Sequence, residues 1–458
     1  MGRRVKRIIL ICIILFGLFT RLIGVLNPLL DDQGWRQADT ASMALNMMGR
    51  LTNLPEVFFP YLLYDGIQPQ RVELEFPFLP YLLAWIWTAF GWSDTAGRMA
   101  AISLSVASIL GIYKFGRLIL GERAGIFAAG IYSVLPLAIY YGRVVMPEPV
   151  VQAFSIWALY YAAKAKVSDS YKDIIIAGIL MAGAILAKLP QLMIFPVGLF
   201  LVWKSKSKVL PLITYATLAL LPPMVYYLSA RIGVSEQSQF VSGIINIQIS
   251  SERVGFWRDL RRNLINGISF PVIVLAITGF VRVVLTYPSF RLPIITWFIA
   301  TIAYVLVICS AIPFDYYLMP VLPLAVLLCA AALDIIQDVP GSVLAVVVML
   351  IVITGAYLRL PPKYMWDATY LTQSNWLSQN INQSSVVVLS DAPPMTFYYL
   401  RKAGFRLVSQ SDDKAWEELR KLNAHYLVRL PKTTRGLEFW DKVQNDYPET
   451  GPGIFKLK

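Results

Sequence analysis

Apolar blocks that approach the thickness of a bilayer recur along this chain, and no other feature constrains its fold as strongly. Residues 8–26, 272–285, 294–309, 321–333 and 343–358 are near the roughly 20 residues a helix needs to cross hydrocarbon. Backbone that crosses lipid must satisfy its own hydrogen bonds, so such blocks are expected to be helices. Of 458 residues, 57% are hydrophobic and 15% charged, whereas a soluble globular protein carries about 25% charged residues. The chain reads as an integral membrane protein with many spans.

The net charge of +13 would suggest nucleic acid in a soluble protein. Here Lys and Arg sit mostly in short loops between apolar blocks, where they encode orientation. No aromatic-interleaved basic surface appears, so nucleic acid is not an expected partner. Cys12, Cys309 and Cys329 all fall inside apolar blocks and give neither metal spacing nor a disulfide framework. His425 is the single histidine, which excludes a His-rich metal site. Arg3, Arg4, Lys6 and Arg7 followed by an apolar run resemble a signal peptide. The run is too long for one and lacks a small-x-small cleavage site, so an uncleaved first span is expected.

Basic clusters give a topology. The N-terminal cluster is placed in the cytoplasm. Lys114, Arg117 and Arg123, then Lys164, Lys166 and Lys172, then Lys204, Lys206 and Lys208, then Arg282 and Arg291 read as later inside loops. All can be inside only if 76–92 does not cross. With Pro77 and Pro80 near its start and Gly91-Trp92 at its end, that segment is expected to lie in the outer interface. Eleven spans are then expected, at 8–29, 97–116, 124–141, 149–165, 173–188, 190–203, 209–229, 267–285, 292–310, 317–336 and 342–360. The expected location is the cytoplasmic (inner) membrane, with outer loops 30–96 and 230–266 and an extracytoplasmic C-terminus. The first loop is expected to hold an amphipathic helix near 40–48.

Pro361-Pro362 marks a domain boundary. Beyond it, strand-like runs at 385–389, 405–408, 425–428 and 454–457 alternate with helix-like runs at 369–380, 394–403, 413–423 and 437–446. The expected fold is a polytopic α-helical membrane domain over 1–360, with a small α/β domain carrying a mostly parallel sheet over 361–458. No Gly-rich phosphate loop follows the first strand, so this domain is not read as a nucleotide site.

Charges near membrane depth are expensive, which makes them functional candidates. The first group runs from Asp31 and Asp32 through Arg36 to Asp39, just past the first span. A carboxylate there can take a proton from a hydroxyl, and Arg36 can hold a phosphate in a bidentate fork. Equally, Asp39 is a helix cap and Asp31 and Asp32 are solvated loop charges. The second group is Arg143 and Glu148, joined by a link stiffened by Pro147 and Pro149. Their bland roles are a snorkelling arginine and a carboxylate at a helix N-terminus. The third comprises Glu73, Glu75, Lys188 and Asp315-Tyr316-Tyr317. Lys188 is equally an interfacial snorkeler, and the tyrosines are equally aromatic-belt residues. Carboxylates and cations on one face suit a substrate that is part lipid, part phosphate and part polar group.

The order Gly34-Trp35-Arg36-Gln37-Ala38-Asp39-Thr40, Glu75-Phe76-Pro77-Phe78, Gly97-Arg98, Tyr141-Gly142-Arg143 and Met146-Pro147-Glu148-Pro149 resembles the bacterial GT-C glycosyltransferases. These are relatives of protein O-mannosyltransferases and of the lipid A aminoarabinose transferase. The resemblance covers roughly residues 1–335. It implies transfer of a sugar, with inversion, from a polyprenyl-phosphate donor to an acceptor outside the cytoplasmic membrane. By resemblance, Asp39 or Asp32 takes the place of the base, Arg143 that of an arginine near the donor phosphate, and Glu148 that of the acidic residue after it. Arg36 and Lys188 are further phosphate candidates, with Glu75, Tyr316 and Tyr317 as substrate contacts. The chain departs from the mannosyltransferase pattern where Arg36-Gln37 stands in place of an Asp-Glu pair, and where Phe314-Asp315 precedes the tyrosines without a histidine.

Membrane lipid and a glycan, lipid or protein acceptor are the other expected partners. A divalent cation, Mg or Mn, is a candidate near Asp32 and Asp39, because hard cations take oxygen ligands. The competing reading is a transporter or flippase of lipid-linked sugars, but the charged groups cluster on one face and no internal symmetry is visible. A scaffolding membrane subunit whose α/β domain binds a partner is a further alternative.

Overall fold

The computed structural model describes residues 2–53, 58–203, 209–234, 239, 241, 255–309, 314–335, 339–409 and 411–458. Lys204, Lys206, Lys208 and about half of the expected outer loop 230–266, Arg253 included, lie outside the described residues. The chain divides into two compact units. One comprises Met1–Val25, Glu73–Phe78 and Arg98–Lys363, the other Leu26–Val72, Leu79–Gly97 and Tyr364–Lys458. Lys363 ends the first unit, and most of residues 30–96 group with the C-terminal residues.

Among the described residues the first unit is mainly helical. By length and composition, four helices are able to cross a membrane: Asp94–Leu120, Val209–Ala230, Pro288–Cys309 and Asp315–Leu333. The number rises to six if two bent pairs each form one span. Helices overlap the other expected spans too, but these are short, broken or charged. Tyr171–Ala187 has 17 residues. Glu122–Val134 has 13 and stops at Leu135, because Pro136 lacks the N–H that would continue the ladder. Arg3–Leu22 opens with four basic residues. Along Val209–Ala230, Leu210, Ile213, Leu221, Val225 and Leu228 are exposed, a surface that water disfavours and lipid accepts.

Local chemistry fixes the helix pairs. Glu148–Ser168 turns into Tyr171–Ala187 through Asp169, whose left-handed conformation (φ 57°) ends the first helix. Ser170 then caps the second by accepting from the Asp173 N–H. Asp173 also pairs with Lys164 across the hairpin at 2.9 Å. Phe270–Thr286 lies so close to Leu322–Leu333 that a Cβ on Gly279 would collide with the Leu328 carbonyl; small residues permit such approaches in lipid.

The second unit contains a five-stranded sheet in the order Phe405–Arg406, Val387–Leu389, Tyr426–Val428, Ile454–Lys456, Glu449–Gly451. The first two pairings are parallel and the last two antiparallel. The mostly parallel sheet expected is thus mixed, because Ile454–Lys456 runs antiparallel to Tyr426–Val428 and Glu449–Gly451 adds a second antiparallel pairing. Val388, Leu427 and Phe455 on the sheet pack against Leu419, Phe439, Trp440 and Val443 on the helices Asp412–Lys421 and Leu437–Asp446.

The first loop joins this sheet at its edge. The Gly66 N–H donates to the Gly404 carbonyl at 3.0 Å, and the Gly404 N–H donates to the Leu63 carbonyl at 2.9 Å. An edge strand covered in this way no longer offers free backbone to another chain. The expected interfacial segment is the helix Phe78–Phe90, 13 residues long. It rises about 20 Å, short of a hydrocarbon core about 30 Å thick. Its exit is held by Asp94, which accepts from the hydroxyls of Tyr398 and Tyr399, both at 2.7 Å.

Candidate active site

Each unit carries one cluster of the residues singled out from the sequence. In the first unit the helix Tyr171–Ala187 ends at Lys188, whose backbone is extended (φ −163°, ψ 113°). A short 3-10 helix, Leu189–Ile194, starts directly after it, with Pro190 in its first turn. The released side chain places its Nζ 2.5 Å from Glu148 Oε1 and 4.5 and 4.4 Å from the ring centroids of Tyr316 and Tyr317. Glu148 stands in the first turn of Glu148–Ser168, where the helix dipole favours negative charge. The pair is dry, with side chains 14% and 2% exposed. Glu75 is near enough to act electrostatically on Lys188.

Hydrogen bonds hold this cage. The Tyr304 hydroxyl donates to the Tyr317 carbonyl at 2.6 Å, and Gln152 Nε2 donates to the Met319 carbonyl at 2.8 Å. Both brace the tight turn Asp315–Val321 that presents the two tyrosines. The second oxygen of Glu148 is buried without a hydrogen-bond partner among the described residues. A buried acceptor left open is costly, and it is ready to take a hydroxyl or amine from a ligand.

Arg143 is fully buried. Its guanidinium donates to the Gly24 carbonyl at 2.7 Å and lies 5.2 Å from the centre of the Tyr140 ring. Its neighbour Gly142 packs where a Cβ would collide with the Ala138 carbonyl, Ser105 Oγ and Arg21 Nε. Arg21 is itself buried and donates to Ser105 Oγ at 2.6 Å, the Gly17 carbonyl at 2.9 Å and the Ser133 carbonyl at 3.1 Å. The turn bearing Arg143 is therefore fixed from below by a hydrogen-bonded cation. A merely snorkelling arginine would not be so enclosed.

In the second unit the loop helix begins at Gly34, not near Thr40, and runs to Met47. Asp39 is therefore no cap; it lies inside the helix, 3% exposed, with Arg36 Nη1 3.9 Å away. Gln33 occupies the cap position in a left-handed conformation (φ 60°). Asp31 is also buried, in contrast to a solvated loop charge, and accepts from Gln37 Nε2 at 2.6 Å. The same amide holds the Asp32 carbonyl at 3.2 Å.

Three residues of this centre escaped the sequence reading: Tyr64, Asp65 and Arg406. Arg406 grips Asp65 in a two-pronged bond, Nε to Oδ1 at 3.0 Å and Nη2 to Oδ2 at 2.5 Å, and lies 4.0 Å from the centre of the Tyr64 ring. Asp65 accepts this fork from a left-handed backbone (φ 70°), an arrangement that costs of order 1 kcal/mol or more for a non-glycine residue. Burial, and next the negative charge of Asp39, push the Tyr64 hydroxyl well above its ordinary pKa. Burial works against the Arg406 cation, but the bond to Asp65 together with the charges of Asp65, Tyr64 and Asp39 outweighs it and raises its pKa. The Asp65-Gly66 dipeptide was the one local sign of a built turn here.

No group of three or more His, Cys, Asp or Glu among the described residues is arranged to hold a metal ion. Asp31 is engaged by Gln37 and Asp39 faces Arg36.

Residues 74–227 match the family of dolichyl-phosphate-mannose-protein mannosyltransferases. No curated protein matches the chain in sequence. In structure it is similar to the oligosaccharyltransferase of Archaeoglobus fulgidus in its apo form (TM-score 0.65, 12% identity, 93% of this chain and 69% of that one). It is also similar to ArnT from Cupriavidus metallidurans in the apo state (TM-score 0.65, 13% identity, 97% and 96%). ArnT bound to undecaprenyl phosphate gives the same TM-score of 0.65 at 12% identity, covering 97% of each chain.

Proposed function

From the premise that this multi-pass membrane protein has the fold of the GT-C glycosyltransferase superfamily, we propose that it is an inverting transferase. It moves a sugar from a polyprenyl-phosphate donor to an acceptor hydroxyl on the outer face of the cytoplasmic membrane. The observation that carries this reading is the cage of Lys188 and Glu148 against Tyr316 and Tyr317. A desolvated, preorganised cation is what a leaving phosphate requires, and losing one such donor typically costs ~3 kcal/mol, about a hundredfold in rate. Arg143 is assigned to the same phosphate, and Glu148 and Glu75 to the sugar hydroxyls.

In the reaction the acceptor oxygen forms a bond to the anomeric carbon as the bond from that carbon to the phosphate oxygen breaks. The electron pair leaves on the phosphate, and the acceptor proton passes to a loop carboxylate, for which the family resemblance offers Asp39 or Asp32; Asp39 is buried. Arg36 Nη1 stands 3.9 Å from Asp39. The acceptor is a glycan, lipid or protein hydroxyl. No step is routed through a metal.

The test is to incubate the purified full chain with a synthetic polyprenyl-phosphate sugar and follow release of polyprenyl phosphate. Release by wild type, loss in Arg143→Ala and loss in Asp39→Asn are expected. Donor binding without release, with any sugar and acceptor, would favour a flippase.

A further inference from the structure

Lys363 has no role in the account above. It closes the first unit in sequence, in the turn Pro361–Tyr364 that follows the helix Val339–Arg359. Its backbone N–H donates to the Leu360 carbonyl at 2.9 Å, which fixes the turn. Its ammonium reaches Asp315 Oδ2 at 2.9 Å and lies 5.0 and 5.3 Å from the ring centres of Tyr140 and Tyr141. The other oxygen of Asp315 accepts from the Tyr141 hydroxyl at 2.5 Å.

These contacts continue the site already described. The Tyr140 ring that faces Lys363 also faces Arg143. Tyr141 meets Tyr316 edge-on at 5.8 Å, and Tyr316 faces Lys188. Four tyrosines thus form one band carrying Arg143, Lys363 and Lys188, with Asp315 and Glu148 as the counter-charges. The two lysine–carboxylate pairs differ in how far water reaches them. Lys188 and Glu148 are dry, and separating them would strand a buried charge. Lys363 and Asp315 are 24% and 20% exposed, so the pair is less enclosed and costs less to part. The Tyr141 hydroxyl also keeps Asp315 hydrogen-bonded after its lysine has gone.

We propose that Lys363 is a further ligand of the donor phosphate, held in the resting state by Asp315, and that an anionic phosphate headgroup takes it over from that carboxylate. This rests on the transferase reading. Lipid phosphate and free phosphate share the chemistry, and the band of rings beside the cations favours a headgroup with an apolar tail.

The test is calorimetric titration of the full-length protein in detergent with farnesyl phosphate and, separately, with inorganic phosphate. Wild type, Lys363→Gln, Lys363→Arg and Asp315→Asn are compared, with thermal unfolding recorded for each. Lys363→Gln should weaken farnesyl phosphate about tenfold, the size of one charge-assisted hydrogen bond at a half-wet site. Lys363→Arg should restore most of the affinity. Asp315→Asn should tighten binding, because the competing carboxylate is gone. A purely structural ion pair predicts that Lys363→Gln and Asp315→Asn weaken binding together and unfold at the same lowered temperature, and that result would overturn the assignment. So would a wild-type affinity in Lys363→Gln. Inorganic phosphate binding as tightly as farnesyl phosphate would overturn the lipid headgroup and leave free phosphate as the ligand. No binding of either probe by wild type would bring down the transferase reading itself.

Discussion

Removing Lys188 separates what the cage does for folding from what it does for the reaction. In Lys188→Met the Glu148 carboxylate keeps its burial but loses its counter-ion, and its second oxygen already has no partner among the described residues. Breaking a buried ion pair from one side typically costs 3–5 kcal/mol, so about 4 kcal/mol of stability should go. Loss of the cation beside the leaving phosphate should cost a further ~3 kcal/mol of transition-state stabilisation, roughly a hundredfold in rate. The double variant Glu148→Gln with Lys188→Met removes both charges and should recover most of the stability, as paired removals of buried ions do. It should not recover the rate. Unfolding of the detergent-solubilised protein gives the first quantity, and release of polyprenyl phosphate gives the second. A double variant that is both stable and as fast as wild type would refute the assignment of Lys188 to the phosphate.

Three further outcomes follow from other parts of the structure. Gly142→Ala has no room for its methyl against the Ala138 carbonyl and Arg21; overpacking of this kind costs about 1–3 kcal/mol, and the displaced Arg143 should lower activity beyond the stability loss, measured on folded protein. The Tyr64 proton is held more tightly in the folded state than in the unfolded one. Its stabilisation is therefore complete below the unfolded pKa of about 10 and is lost as pH rises through the higher folded value, so Tyr64→Phe should flatten the alkaline fall in unfolding temperature. Asp94→Asn weakens the acceptance of two tyrosine hydroxyls and should destabilise the second unit by about 2 kcal/mol, seen as faster proteolysis of the 79–97 segment, while Ser170→Ala elsewhere serves as a matched control at about 1 kcal/mol.

Much of this could be read from local pattern. The helices Thr369–Asn380 and Leu437–Asp446 stand where their apolar spacing and flanking turn residues put them. Lys188, Glu148, Tyr316 and Tyr317 were singled out separately, each for being polar or aromatic at the end of an apolar run, and the fold gathers them. Asp39 misled because Asp before Thr resembles a cap, whereas Arg36 one turn earlier lets the carboxylate stay inside a longer helix. Strand Glu449–Gly451 has no apolar alternation and exists only because Ile454–Lys456 pairs with it. Asp65 with Arg406, Asp94 with Tyr398, and Asp315 with Lys363 are non-local pairs, and such contacts leave no periodic trace in a single sequence.

The stitching of the first loop onto the edge of the C-terminal sheet also sets an order of events during synthesis. Asp65 and Arg406 are 341 residues apart in the chain. At 5–20 residues per second, the loop therefore emerges roughly 20 to 70 s before its partner strand exists. Over that interval the Asp65 turn has no cation to hold it and the Leu63–Gly66 backbone has no edge to join. The helix bearing Asp39 thus acquires its complete surroundings only when the chain is nearly finished, and a nascent or truncated chain that stops before Gly404 carries an unassembled first loop.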